Sequence, residues 1–422
     1  MPHQREVVIT GLGVVCPLGV GRGPFWSALE AGQSGIRAVP EFVGLDVPFR
    51  IAGLIPGFEP KEYVQPRKTL KVMSGEIQAG YSAAVLAMQD AGLAKGSVDP
   101  ERLGVVLGSE LLYGELEEMQ EAYRHCIVEG EFHSELWAEH AMKDMFPLWM
   151  LKYLPNMAAC HIGIAHDARG PNNSIVQGGA SSLLAFIEAT QAILRGHADV
   201  MITGGSGSTC SINAITFRRW DHLTKWTGAP QESPRPFDAR RDGTVLAEGA
   251  GVLILESREH AQKRSAKILA SVLGGGNRFE PPIAGQVRQG TAIAAAIQAT
   301  LSYAKITADE LGFVSAAACG TVAGDALEAQ AIRRTLGSVP VFAPKSYFGD
   351  LGAGSGAVEL VASVLALAAG SVPPILNFAQ PDAACPINVL QGEMTKIEKR
   401  TAIALSQSDT GQAAAVALAA AS

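Results

Sequence analysis

Charge is scarce in this chain, and none of it is concentrated. Only 18% of the 422 residues are Asp, Glu, Lys or Arg, and the balance is a mild −7. No basic block or stripe stands out, which excludes the electrostatic footprint of a nucleic-acid-binding protein. Any acidic partner would have to dock on local basic residues. Aromatics are also few, at 6%. The six cysteines, Cys16, Cys126, Cys160, Cys210, Cys319 and Cys385, form no C-x-x-C pair and lack zinc-like spacing. They read as reduced, mostly buried thiols. The first residues hold no basic region ahead of an apolar run, so no secretory leader is expected. No apolar stretch is read as reaching about 18 uncharged residues with the flanks of a membrane span. Histidine is absent after His260. These absences lead to the expectation of a cytoplasmic protein with no membrane, nucleic-acid, cofactor or metal partner.

Small and apolar residues fill the space that charge leaves. Hydrophobic residues make up 47% of the chain and glycine alone contributes 46 positions, a composition suited to close-packed α/β layers with many tight turns. Apolar runs at 5–15, 103–107, 174–177, 200–203 and 252–255 read as strands. Helical spacing runs through 74–92 and 181–194. The second half repeats the alternation, with strands at 267–273, 313–318, 401–405 and 413–418 and helices at 291–304, 326–336 and 354–369. The segment 112–154 differs, being rich in Glu, Met, Trp and His, and reads as an inserted helical cap. The boundaries expected are an N-terminal half at 1–260, with the cap at about 110–155, and a C-terminal half at 261–422.

Six stretches carry a resemblance: VVITGLGVVCPLG at 7–19, NMAACHIGIAHDARGPN at 156–172, GHADVMITGG at 196–205, PFDARRDGTVLAEGAG at 236–251, APKSYFGDLGAGSGAVE at 343–359 and PPILNF at 373–378. In this order and spacing the chain resembles the β-ketoacyl synthases, the ketosynthase branch of the thiolase-fold condensing enzymes. The resemblance implies a thiolase-like α/β architecture, a duplicated αβαβα fold of five layers, working as a dimer. It also implies a chemistry. A Cys at the turn before a buried helix takes the acyl group, two His assist malonyl decarboxylation and stabilise charge at the thioester oxygen, and a Lys organises the second His.

Carried over one by one, these positions are degenerate. The nucleophile position is Gly179, the first His is Cys319 and the second is Asp350. Lys345 is retained, and Glu248 matches an acidic position of the family. Because both family histidines belong after His260, no small shift of alignment restores them. The family's C-terminal Gly-Phe-Gly-Gly-Thr-Asn loop is replaced by residues 406–412. Gly179 is expected to tolerate a strained nucleophile turn without penalty.

Each position also has a plainer reading. Cys319 is either a displaced nucleophile activated by Lys345 or a small thiol filling the space of a lost imidazole, the simpler account. Asp350 with Lys345 is either an acid/base pair or a leftover ion pair, and Glu248 reads as a loop anchor. Histidines 161 and 166 read as packed or surface residues. His125, His133 and His140 in the cap have no accompanying carboxylate signature, so metal is not expected. Met and Trp in the cap read as core or dimer packing, with a lining for an acyl chain as the functional alternative. Gly204-Gly205 and Gly274-Gly275-Gly276 lack the strand–G-x-G-x-x-G–helix context of a dinucleotide site.

The resemblance therefore implies a noncatalytic subunit similar to a chain-length factor, paired with an active ketosynthase through the strand near Asn173–Val176 and the cap, and served by an acyl carrier protein. Many chain-length factors carry Gln at the nucleophile position, whereas Gln177 here lies two residues earlier. Two alternatives stand beside it. One is an enzyme with altered acyl-thioester chemistry at Cys319, Lys345 and Asp350. The other is a homodimeric protein that binds an acyl chain or acyl carrier without reacting.

Overall fold

A computed structural model describes residues 5–39, 49–110, 114–208, 210, 215, 222–281, 283 and 288–421. The first strand, β1 (Val7–Cys16), is buried at all ten positions. A strand covered on both faces has no polar side, which is why its sequence is a continuous apolar run rather than an alternation. Helix α1 (Arg22–Glu30) follows, then α2 (Gly75–Asp90), whose N-terminus is capped by the Ser74 side chain. Strand β2 (Leu103–Gly108) leads into the cap, which holds α3 (Leu116–His125) and α4 (Trp137–Asp144). The cap is not purely helical as expected: Ile127–Val128 and Glu131–Phe132 pair as a small hairpin between its helices. Next come α5 (Met157–His166), β3 (Asn172–Ile175), α6 (Ser181–Leu194), β4 (Val200–Ser208) and β5 (Glu248–Ser257).

The second half runs β6 (Ala270–Phe279), α7 (Thr291–Ala304), β7 (Phe313–Ser315), α8 (Val322–Leu336), β8 (Pro340–Phe342), the single turn α9 (Lys345–Phe348), α10 (Ser355–Ala369), β9 (Asn388–Val389), β10 (Thr401–Gln407) and β11 (Gln412–Ala420). Strands β4, β5 and β6 extend beyond the apolar runs that marked them. Glycines account for much of the difference, because they weaken the apolar signal yet still pair. A Cβ on Gly205 in β4 would meet the Ala353 carbonyl oxygen at 2.5 Å, so the glycine is there to admit the backbone of the next layer.

Strand order is β9-β8-β7-β10-β11-β6-β1-β5-β4-β2-β3, with the short strand Gly19–Val20 paired to β1 outside this path. The order reveals a duplication. From the centre outward, β1-β5-β4-β2-β3 matches β6-β11-β10-β7-β8, and the senses agree pair for pair: antiparallel, antiparallel, parallel, parallel. β1 and β6 pair antiparallel where the halves meet. Helices α6 and α10 touch strands of both halves and form the middle layer. α2 packs on β1, β5 and β4 on one outside, with α5 against it, and α7 covers β6 and β11 on the other, with α8 against it. This is the five-layered, thiolase-like α/β fold. The central layer also corrects one reading of the sequence. Gly352–Ala369 is long and apolar enough by composition to cross a bilayer, but 83% of it is buried inside the fold.

Candidate active site and its degenerate positions

The turn at 178–180 opens α6, and Ser181 shapes it. The Ser181 hydroxyl accepts from the Gln177 N–H at 2.8 Å and donates to the Gly178 carbonyl at 2.7 Å. The left-handed residue is Gly178, with φ of +54°, and Gly179 is not among the positive-φ glycines. Backbone strain therefore does not explain the glycine at 179, contrary to expectation. Space does: a Cβ there would lie 2.7 Å from the Gln407 carbonyl oxygen, inside van der Waals contact. Gln407 ends β10, and the turn to β11 is closed by Ser408 N–H to Gln412 O at 2.8 Å and Gly411 N–H to Ser408 O at 3.0 Å. This tight hairpin is what residues 406–412 form, and the Gln407 carbonyl that leads into it occupies the space that a side chain at 179 would need.

Cys319 follows β7 on a loop clamped by two buried carboxylates. Glu328 on α8 accepts the N–H groups of Ala317 and Ala318, both at 2.7 Å. Asp325, in the first turn of α8, accepts from Gly320 N at 2.9 Å and Phe237 N at 2.9 Å. The Cys319 Sγ lies 3.2 Å from Thr321 Oγ1 and donates to Asp325 Oδ1 at 3.6 Å. Burial raises the thiol pKa strongly and the Asp325 charge raises it further. Lys345 does not activate it; the group beside the sulfur is an acid. Burial likewise lifts Glu328 to about 7, against the pull of its backbone hydrogen bonds.

Lys345 begins α9 and does not pair with Asp350. Its Nζ donates to the Ala317 carbonyl at 2.7 Å and to Glu359 Oε1 on α10 at 2.5 Å. Burial works against the ammonium charge, but Glu359 and the more distant Asp350 outweigh it and hold the Lys345 pKa above the ordinary value. Burial lifts Glu359 to about 7 despite Lys345. Asp350 Oδ1 instead accepts from Gly352 N at 3.2 Å and Ser355 Oγ at 3.0 Å, fastening the turn ahead of α10. The expected Lys345–Asp350 pair is replaced by Lys345–Glu359 because α10 runs past the lysine, while Asp350 belongs to the turn before it.

The stretch 244–248 ties these loops together. Thr244 Oγ1 donates to the Cys319 carbonyl at 2.6 Å, Asp350 N to Val245 O at 2.8 Å and Ala247 N to Asp350 O at 3.0 Å. Glu248 continues from it but is engaged elsewhere: its Oε1 accepts from Ile55 N at 3.1 Å. Burial raises the Glu248 pKa, opposed by that bond and by Arg37. His161 and His166 sit on α5, where burial lowers both, His166 to about 4.

The structure thus ties Cys319 and Asp350 to one backbone segment, sets Lys345 against the Ala317 carbonyl of the Cys319 loop, and adds Asp325, Glu328 and Glu359, which the sequence reading missed. Glu359 had a signal. A lone carboxylate inside the apolar run GAVELVASVLALAA must find a partner when buried. The resulting cluster offers carboxylates engaged with backbone N–H groups or, for Glu359, with the Lys345 ammonium, together with a protonated thiol. It has no side chain at 179 to take an acyl group and no imidazole at 319 or 350 to assist decarboxylation.

Comparison with known proteins agrees with the architecture. The model of the β-ketoacyl synthase N-terminal domain matches residues 4–261, and that of the C-terminal domain matches residues 269–379. The chain is 32% identical over 402 residues to 3-oxoacyl-[acyl-carrier-protein] synthase 2 of Vibrio cholerae, covering 94% of each protein. Among solved structures it resembles the ishigamide ketosynthase/chain length factor, with a TM-score of 0.87 and 26% identity over 99% of this chain and 100% of that one. It also resembles a chain of AntDE:AntF, a type II polyketide acyl-carrier protein in complex with its ketosynthase, with a TM-score of 0.84, 28% identity and all of both chains covered. Matched along nearly its whole length in sequence and in fold, the chain belongs to the β-ketoacyl synthase family.

Proposed function

We propose that this protein is a noncatalytic subunit of a condensing enzyme, similar to a chain-length factor, which pairs with an active ketosynthase and shapes the space for the growing acyl chain. The family acts in fatty acid and polyketide synthesis. The observation that carries the finer reading is the closure of the nucleophile position, where the Gln407 carbonyl stands 2.7 Å from any Cβ at Gly179. The changes at Cys319 and Asp350 agree with it. The cysteine is held protonated by burial and by Asp325, and Asp350 caps a turn.

The pairing surface would join the free edge of the sheet to the cap. β3 ends the sheet, and the cap exposes Leu116, Ile127, Phe132, Met142, Leu148 and Met150, each more than half solvent-accessible. An exposed apolar group of this extent marks an interaction surface. The partner would supply Cys and both His, and an acyl carrier protein would deliver the substrates. One solved relative is named as a ketosynthase/chain length factor and another as a ketosynthase with its acyl-carrier protein, which supports partners of these kinds.

The test is intact mass after incubation with acyl- and malonyl-carrier protein, for this chain alone and mixed with an active ketosynthase from the same source. The expected result is that this chain gains no acyl mass and that only the mixture extends the acyl group. An acyl adduct on this chain alone that Cys319→Ala abolishes would overturn the proposal in favour of altered thioester chemistry. A stable homodimer with no affinity for the ketosynthase would overturn it in favour of a binding protein.

A further inference from the structure

The cap carries a constellation unrelated to the degenerate site. His140 and Asp144 are four residues apart on α4, so they share one face of the helix. His125 is the last residue of α3, and packing brings it against that face: the Tyr123 ring on α3 and the Trp137 ring on α4 meet at a tilt, 4.6 Å between centroids, and the His125 and His140 rings follow at 4.9 Å. Asp144 Oδ2 lies 2.7 Å from His125 Nδ1 and 3.5 Å from His140 Nδ1. One donor atom from each of the three residues falls within 4.8 Å of the other two. Around a tetrahedral zinc ion with ligands at about 2.0–2.1 Å, donors stand roughly 3.4 Å apart, so donor separations need change by no more than about 1.4 Å.

The electrostatics match the geometry. Asp144 is mostly shielded, with 14% of its side chain exposed, as is His140 at 22%, whereas His125 is half exposed at 49%. His140 Nδ1 is buried and makes no hydrogen bond. A buried ring nitrogen without a hydrogen bond loses its solvation and gains nothing in return. It lies beside a carboxylate and a second imidazole, a donor set that suits a borderline divalent metal.

We infer that His125, His140 and Asp144 form a binding site for a zinc-like divalent transition-metal ion that clamps α3 to α4. Three protein ligands leave a coordination position for water on the exposed His125 side. Binding displaces the hydrogen bond between His125 and Asp144, so imidazole and carboxylate bind as neutral and anionic ligands. The site does not depend on the subunit reading, since no ligand belongs to the condensing cluster.

The experiment uses the full chain, stripped with a chelator and reloaded with Zn2+ alone, unbound metal being removed by gel filtration. The expected result is about one zinc retained per chain, a raised thermal midpoint, and visible d–d absorption of tetrahedral type with Co2+. His125→Ala, His140→Ala and Asp144→Asn should each reduce retained metal to background. His133→Ala, whose ring pairs with Glu135 at 3.0 Å, should leave it unchanged. Wild-type chain that retains no zinc and shows no Co2+ band overturns the inference, as do ligand variants that retain as much metal as wild type. Circular dichroism of each variant separates ligand loss from misfolding.

Discussion

Position 179 lacks a thiol, and it also lacks room for one. The Gln407 carbonyl would stand 2.7 Å from a new Cβ, so restoring the family's residue with Gly179→Cys should fail to restore condensation. It should also destabilise the fold by about 1–3 kcal/mol through overpacking. Denaturant melts and malonyl-dependent turnover check this, and a stable, acylated variant would contradict it. Glu328 is the second telling residue. Burial lifts its carboxyl to about 7 from an ordinary 4.5, so the folded state favours the protonated form. Its contribution is fully present below the unfolded pKa and is lost as pH rises through the folded value. The thermal midpoint should therefore fall between about pH 5 and pH 8, and Glu328→Gln should flatten that fall. An unchanged slope in the variant would assign the titration to another group.

Among the elements, β3 bears most on assembly. Among the described residues it pairs on one side only, with β2. The carbonyls of Pro171 and Ile175 accept from Val105 and Ser109, so by alternation Asn172 and Ser174 turn their backbone groups to the open side. The Ser174 N–H is held by the Asn173 side chain at 2.8 Å rather than by the ladder. Proline there should leave the subunit folded, as edge strands tolerate it, yet remove the donor that a partner strand would use. Mixed with the active ketosynthase, Ser174→Pro is expected to elute from gel filtration apart from it, with near-wild-type circular dichroism; co-elution as a heterodimer would place the contact elsewhere. The helices were the most legible elements. The expected spans 181–194 and 291–304 coincide with α6 and α7, because each is a long apolar pattern ended by turn residues. Strands β4 and β6 were under-read because glycine carries no β signal, although its missing side chain lets neighbouring layers close on it.

For the molecule as a whole, two halves of matching topology share a central helical layer and are spliced by β1 and β6. Such continuity favours one cooperative unit, with the boundary near 260 marking a duplication rather than an independently folding domain. All five tryptophans precede residue 260, so their fluorescence reports the first half while circular dichroism reports both. Coincident urea transitions are expected; a fluorescence change at a separate midpoint would show that the halves unfold apart.

The sequence by itself determined the family, the α/β alternation and the residues at the positions proposed as degenerate, glycine at 179, cysteine at 319 and aspartate at 350. These follow from local patterns, from motif order and from the absence of histidine after His260. Only the tertiary structure decided what surrounds those positions. Long-range packing sets Gln407 over Gly179, Glu359 rather than Asp350 beside Lys345, and Asp325 against Cys319. It also brings His125 to His140 and Asp144, since α3 and α4 meet only once the cap has folded. A spacing in sequence constrains partners one helical turn apart, whereas contacts between layers depend on which faces are buried together.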